Sequence, residues 1–305
     1  MSGRLILAAA LVAVLVLLIA AYPMGRQLYA VAVGFHSHDS VPPALPGGLA
    51  DPAILVFSKT NGFRHEAAIP AAETALREIA TGHGWSVFAT ENGAVFTPDL
   101  LARFKVVVWN NASGDVLNPA QRAAFRAWLE SGGGFVGIHG AGGDLRYDWD
   151  WYVDTLIGAQ FIGHTLDPQF QRATVRIADG DHPATRGLDG AWDQTDELYS
   201  FAASPREKGV RVLATLDEAS YQPVARFPAP ASWFLADQDL RMGDHPIVWS
   251  HCVGNGRALY SALGHPAEAY AGTNHRRLLE GALAWAAGLE GPACRDGKES
   301  GEDGQ

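Results

Sequence analysis

The sequence predicts an α/β domain on a doubly wound, mostly parallel sheet, preceded by one N-terminal transmembrane helix. Three observations lead there: short apolar runs that stop at polar turn residues, helical stretches with one apolar face alternating with them, and an 18-residue apolar run near the N-terminus. Parallel strands buried on both faces read as unbroken apolar runs, and their alternation with amphipathic helices is the pattern of βαβ crossovers.

Residues 5–22 form the long apolar run, with Arg4 before it and Pro23 and Arg26 after it. That length spans a bilayer as a helix. The apolar core of a cleaved signal peptide is shorter, about 7–15 residues, and ends at a small-x-small site. Here the nearest such triplets, around Ala30 to Ala32, lie well past the run, so residues 1–33 are expected to be an uncleaved anchor. The main domain is then expected to be periplasmic or otherwise extracytoplasmic. Residues 34–52 are rich in Pro, Gly and small polar residues and read as a linker, with His36 and His38 solvated. The folded domain is expected over 53–288, and the polar, Gly-rich residues 289–305 as a disordered tail.

Within the domain, residues 54–58 (ILVFS) are the first strand. Ile69, Ala72, Leu76 and Ile79 then recur on one helical face that ends near Gly82. Residues 85–90 and 104–110 (FKVVVWN) are the next two strands. Asn118, Pro119 and Gln121 spell the start of a helix with a capping box; Phe125, Trp128 and Leu129 form its inner face and Gly132 its end. Residues 135–138 are the fourth strand, and further strands are expected at 173–177, 210–215, 224–227, 247–251 and 257–261. A closing helix after Asn274 turns Leu278, Leu279, Ala282 and Leu283 inward.

The 305 residues carry a formal charge of −10 and no clustered Lys/Arg run, which argues against nucleic-acid binding and for a neutral or polar small-molecule partner. Two cysteines, Cys252 and Cys294, allow either a disulfide outside the cytoplasm or one buried and one tail thiol.

Ligands of open α/β sheets bind beyond the carboxyl ends of the strands. Four such places hold reactive side chains. "SKTNGFRHE" follows the first strand with Lys59, Thr60, Arg64 and His65; "GGGFVGIHGAGGD" carries His139 and Asp144; "DQTDELYSF" offers Asp196, Glu197 and Tyr199; "GRALYSALGHP" supplies His265. The turn Ile138-His139-Gly140 has the outline of a nucleophile elbow with histidine in the nucleophile's place. No Gly-x-Ser-x-Gly is present, and neither cysteine stands in a Gly-x-Cys-x-Gly turn.

Together "FSKTNGFRH", "GGGFVGIHGAGGD", "WDWYVDTLIGAQFIGH", "DHPATRGL", "DELYSF" and "GNGRALYSALGH" resemble the ThuA-like family, associated with trehalose and related sugar utilisation, over residues 53–288. The resemblance implies a fold similar to class I glutamine amidotransferases, a flavodoxin-like doubly wound sheet. In those relatives the elbow holds a cysteine whose thiolate attacks glutamine; His139 in its place speaks against amidotransfer. His164 joins the candidate site because it ends a segment that carries the resemblance.

The expected function is that of a carbohydrate enzyme, an isomerase, lyase or hydrolase acting on a sugar or keto-sugar. His65, His139, Glu197 and His265 either move protons or hold a divalent metal such as zinc. Lys59, Thr60, Arg64, Asp144, His164 and Tyr199 are the expected substrate contacts. The alternative is a non-catalytic sugar- or protein-binding module on a degenerate amidotransferase-like scaffold. Tyr147, Trp149, Trp151 and Tyr152 suit either a sugar-stacking surface or simple packing. Convergence of His65, His139, Glu197 and His265 in one pocket separates the two. The irregular stretch 233–246 is a candidate lid, and Arg257 either an anion anchor or an edge residue.

Overall fold

The computed structural model describes residues 33–299 together with Tyr22, Gly25, Arg26, Gln27, Tyr29 and Ala30. The apolar run of the expected anchor, residues 5–22, lies outside the described residues except at its last position, Tyr22. Among the described residues no helix is long and apolar enough to cross a membrane.

In chain order the elements are β1 (Ala53–Phe57), α1 (Ala68–His83), β2 (Ser86–Thr90), α2 (Pro98–Leu101), β3 (Val106–Asn110), α3 (Pro119–Glu130) and β4 (Gly134–Ile138). There follow β5 (Phe161–His164), β6 (Phe170–Ile177), β7 (Ala191–Glu197), β8 (Tyr199–Phe201), β9 (Arg211–Leu216), β10 (Val224–Ala225) and β11 (Gln238–Asp239). The last are β12 (Pro246–Val253), β13 (Gly256–Ser261), α4 (Thr273–Ala286), β14 (Cys294–Arg295) and β15 (Lys298–Glu299).

A nine-stranded sheet has the order β2-β1-β3-β4-β13-β12-β9-β6-β7. Its first five strands run parallel, and β12, β9, β6 and β7 extend it with each strand antiparallel to its neighbour. The alternation brings the carboxyl ends of β7 and β9 to the same edge as those of β1, β3, β4 and β13. β1, β3, β4 and β13 are buried at every position, as their apolar runs require. α1 and α4 pack against each other, and α2 packs against α3. α1 buries Ile69, Ala72, Leu76 and Ile79 and ends in a left-handed Gly84 cap. The capping box of α3 forms as read, with the Asn118 side chain accepting from the Gln121 backbone and the Gln121 side chain from the Asn118 backbone.

Differences from the sequence expectations have local causes. β7 carries polar side chains on its exposed face and so hides its period; β5 and β8 form a short separate pair. Residues 34–52, expected to be a linker, lie against the domain: 35–41 bond to the loops at the carboxyl edge, and the chain reaches the amino edge, where Ala50 N donates to Ser86 Oγ (2.7 Å). Phe35 N donates to Asn61 O (2.8 Å), Asn61 Nδ2 to Ser37 O (3.0 Å), Gln121 Nε2 to Asp39 O (2.8 Å) and Asn92 Nδ2 to Val41 O (3.0 Å). Hydrogen bonds hold this strap, with only Leu45 and Leu49 packed against the core, which is why it shows no hydrophobic period. His36 and His38 are not merely solvated: both pair with Asp115.

The expected disordered tail is in part a β14–β15 hairpin, tied to β12 by the Cys252–Cys294 disulfide. Gly297 N also donates to Gly254 O (2.8 Å). Arg257, buried, donates to Trp285 O (2.9 Å) and Pro292 O (2.8 Å), closing the end of α4 instead of anchoring an anion. The 217–245 connection lies at the carboxyl edge between β9 and β12, with Trp233 73% and Phe234 85% exposed.

Candidate functional site

The elbow is present. His139 has φ +44°, in the left-handed region that costs a residue with a Cβ about 1–2 kcal/mol. The surroundings impose it: Tyr260 Oη donates to His139 O (2.8 Å), and the next glycine is clamped between neighbours. A Cβ on Gly140 would lie 2.7 Å from His65 Cε1, on Gly142 2.5 Å from Tyr260 Cζ and on Gly143 2.6 Å from Tyr199 Oη. Only glycines fit this passage, and the fit places the His139 ring at the strand ends.

His139 is fully buried. Its Nδ1 donates to Ala262 O (2.8 Å), so Nε2 is the nitrogen that faces the cluster. That Nε2 lies 3.1 Å from His265 Nδ1 and 3.5 Å from Glu197 Oε2, and His265 Nδ1 lies 2.9 Å from the same oxygen. His65 completes the group, with one donor atom from each of the four residues within 4.8 Å of every other. Bonds of about 2.0–2.1 Å to a tetrahedral metal put its ligand atoms about 3.3 Å apart, so the His139–His265–Glu197 spacings suit such an ion. The Nδ1 of His65 is buried without a hydrogen-bond partner, a cost that a ligand in the site would offset.

The electrostatics agree with a cation-binding role. Burial, followed by the nearby His139 and His265, holds His65 well below the usual histidine range, so it is a neutral donor. Burial opposes ionisation of Glu197, but hydrogen bonds from His139 and His265 outweigh it and keep the carboxyl well below its ordinary range. Three imidazole nitrogens and one carboxylate oxygen form a set that suits zinc or a similar divalent ion. The supporting groups are rigid. Gln169 Nε2 donates to Glu197 Oε1 (2.5 Å), and the Asp196 carboxylate accepts from Gly264 N (2.8 Å), His265 N (2.9 Å) and Glu197 N (3.0 Å). Such partners orient ligands in metal sites.

His65 and Glu197 stand on the wall of a cavity of about 270 Å³, which Asp144, His164, Tyr199, Ser113 and Gln169 also line, with Phe63 and Phe161 as apolar faces. His164 Nδ1 is 3.2 Å from Glu197 Oε1, and the Tyr199 ring packs 4.2 Å from that of His139.

Lys59, Thr60 and Arg64 do not join this cavity, contrary to expectation. The Lys59 ammonium pairs with Asp39 of the strap (2.5 Å). Arg64 pairs with Glu91 (2.8 Å) and Glu66 (3.0 Å), and its Nη1 donates to Thr60 Oγ1 (3.3 Å). Asp39 and Glu91 come from distant segments, so nothing in "SKTNGFRHE" betrays those pairings, whereas Thr60 and Glu66 belong to the stretch itself. Of the aromatic run, Tyr152 and Trp149 stack at 5.7 Å, Arg122 covers Trp149, and Tyr152 Oη donates to Ala141 O (2.6 Å), so these side chains pack rather than face a ligand. A second grouping, His36, Asp115 and Asp148, is engaged already: Arg122 Nη2 contacts Asp115 Oδ1 at 2.5 Å.

Sequence reasoning missed Gln169, Asn111 and Tyr260. Asn111 directly follows β3, takes a left-handed φ of +53° and accepts from Gly140 N (3.3 Å). Its position at a strand end was the available signal. Gln169 lies between β5 and β6 and had none.

Solved structures share this architecture, two described as thua-like proteins among them. A structure described as a thua-like protein from Bacteroides uniformis ATCC 8492 is 26% identical, with a TM-score of 0.64 over 80% of this chain and 95% of that one. Another so described, from Parabacteroides merdae ATCC 43184, is 17% identical, with a TM-score of 0.57 over 81% and 95%, and shows the fold alone. No curated protein matches the sequence. The ThuA family model, described as trehalose utilisation, matches residues 53–286, the whole domain from β1 to the end of α4, and the chain therefore belongs to the ThuA family.

Proposed function

We propose that this ThuA-family domain is a carbohydrate-acting enzyme that moves a proton beside the carbonyl of a keto-sugar, at a divalent-metal centre held by His65, His139, Glu197 and His265. The observation that carries this reading is the convergence of those four donors, within 4.8 Å of one another, at a cavity of monosaccharide size. A bound divalent ion supplies Lewis acidity toward a carbonyl oxygen. The residues do the rest: Phe63, Phe161 and Tyr199 offer apolar faces to a sugar ring, while Gln169, Ser113 and His164 present hydrogen-bonding groups to its hydroxyls. Covalent thiol catalysis has no residue to perform it, since both cysteines are joined in a disulfide and the elbow carries His139.

The test is elemental analysis of the purified full chain and of His139→Ala. Stoichiometric divalent metal in the wild type, lost in the variant at unchanged circular dichroism, supports the reading. A wild-type protein that is metal-free and takes up no zinc at micromolar concentration would overturn it.

A further inference from the structure

Of the three carboxylates at the site, two are tied down. Glu197 is held by His139, His265 and Gln169, and Asp196 by three backbone N–H groups. Asp144 is different. It follows the glycines whose contacts with Tyr260 and Tyr199 fix the path of the chain, and it lines the same cavity as His65 and Glu197. Its Oδ2 accepts one backbone hydrogen bond, from Gly114 (2.6 Å), and among the described residues no cation pairs with it. The other oxygen lies 3.1 Å from where a Cβ on Gly62 would stand, so the bare glycine leaves room beside it. A carboxylate held by one oxygen, with the other less encumbered, is oriented without being neutralised.

We propose that Asp144 is the proton-transferring residue of this site. The inference rests on the proton-transfer reading above and adds the base that reading lacks. An Asp144 oxygen takes the proton from the carbon next to the ring ketone, the C–H pair forms the C=C bond as the C=O π pair moves onto oxygen to give the enolate, and the same carboxyl returns the proton to carbon as the carbonyl re-forms. Nothing is oxidised or reduced, and no co-reactant is needed. Burial, partly offset by the Gly114 N–H, raises Asp144 to about 6, which leaves it ionised at neutral pH and still able to hold a proton. The titratable and charged groups around it are Tyr147, Tyr199 and Tyr260, which burial keeps as neutral phenols, Glu197, His65 and His164 along the cavity, and Asp115, Asp148 and Arg122 on the Gly114 side.

The experiment uses the zinc-loaded full chain and a methyl hexopyranosid-3-ulose, a glycoside with a ring ketone, in D₂O. Proton NMR follows deuterium exchange at the carbons flanking the ketone. The expected result is a wild-type exchange rate that rises with pH as the Asp144 carboxyl ionises. Asp144→Asn should slow exchange by about 10²–10⁴-fold with zinc content unchanged, and Asp144→Glu should restore part of the rate. Exchange by Asp144→Asn within about threefold of wild type, zinc retained, would overturn this role alone. Loss of zinc in Asp144→Asn would also overturn it, by making the residue structural. A zinc-loaded wild type that exchanges nothing overturns both this role and the reading beneath it.

Discussion

Nδ1 of His265 lies 2.9 Å from Oε2 of Glu197, although 68 positions separate them in the chain. Two neighbouring carboxylates fasten these segments. Asp196, the neighbour of Glu197, binds the backbone N–H of His265, so the end of β7 and the loop after β13 are fastened at main chain and side chain alike. Four predictions follow from this centre and its supports.

The left-handed φ of His139 is imposed, so the elbow should distinguish two substitutions that remove the same imidazole. His139→Gly relieves the backbone and His139→Ala does not. The glycine variant should be the more stable by about 1 kcal/mol in urea denaturation. Equal stabilities would mean that the turn relaxes when the ring is gone.

Gly140 bears on His65. A methyl group at this position would stand 2.7 Å from His65 Cε1 and 2.9 Å from its Nδ1, so the ring must move away. Gly140→Ala should lower zinc affinity by about 10–100-fold, measured by competition with a chelator, while far-UV circular dichroism stays that of the wild type. Undiminished affinity would remove His65 from the ligand set.

His275 is fully buried with neither ring nitrogen bonded, and burial, then the nearby His139, lowers it to about 4. In the unfolded chain it titrates near 6.5, so between those values the unfolded state binds more protons and acidification favours unfolding. The contribution is present above about 6.5 and is lost as pH falls toward 4. His275→Leu should therefore gain about 2 kcal/mol on the wild type between pH 7.5 and pH 5, read from thermal or urea unfolding at each pH. A gap that does not widen in acid would show that the ring is protonated in the fold.

The disulfide Cys252–Cys294 spans 42 residues. Chain entropy alone assigns a loop of that size about 4 kcal/mol. Cys294→Ser should lower stability by about 2–4 kcal/mol and leave the metal content intact, because the hairpin it ties packs on β12 and β13 and lines none of the site. Loss of metal in that variant would show that the hairpin supports the site.

Much of this was legible in the chain. The unbroken apolar runs of β1, β3 and β4, the amphipathic face of α1 and the capping box of α3 prescribe a parallel sheet with covering helices, because burial on both faces and helix capping are local demands. The same order sets His65, His139 and His265 at strand ends. The glycines around His139 announce its turn, since no other residue fits so close to Tyr260, Tyr199 and His65. What only the tertiary structure decided is which of these groups meet. Lys59 and Arg64 share a loop with His65 yet are drawn off by Asp39 and Glu91, whereas Glu197, named from its motif, arrives on a strand that its polar outer face hides in the sequence. Ion pairs and hydrogen bonds between segments dozens of residues apart leave no period in the sequence. Convergence of the four donors, and the lightly held carboxylate of Asp144 beside them, therefore emerge only when the chain is folded.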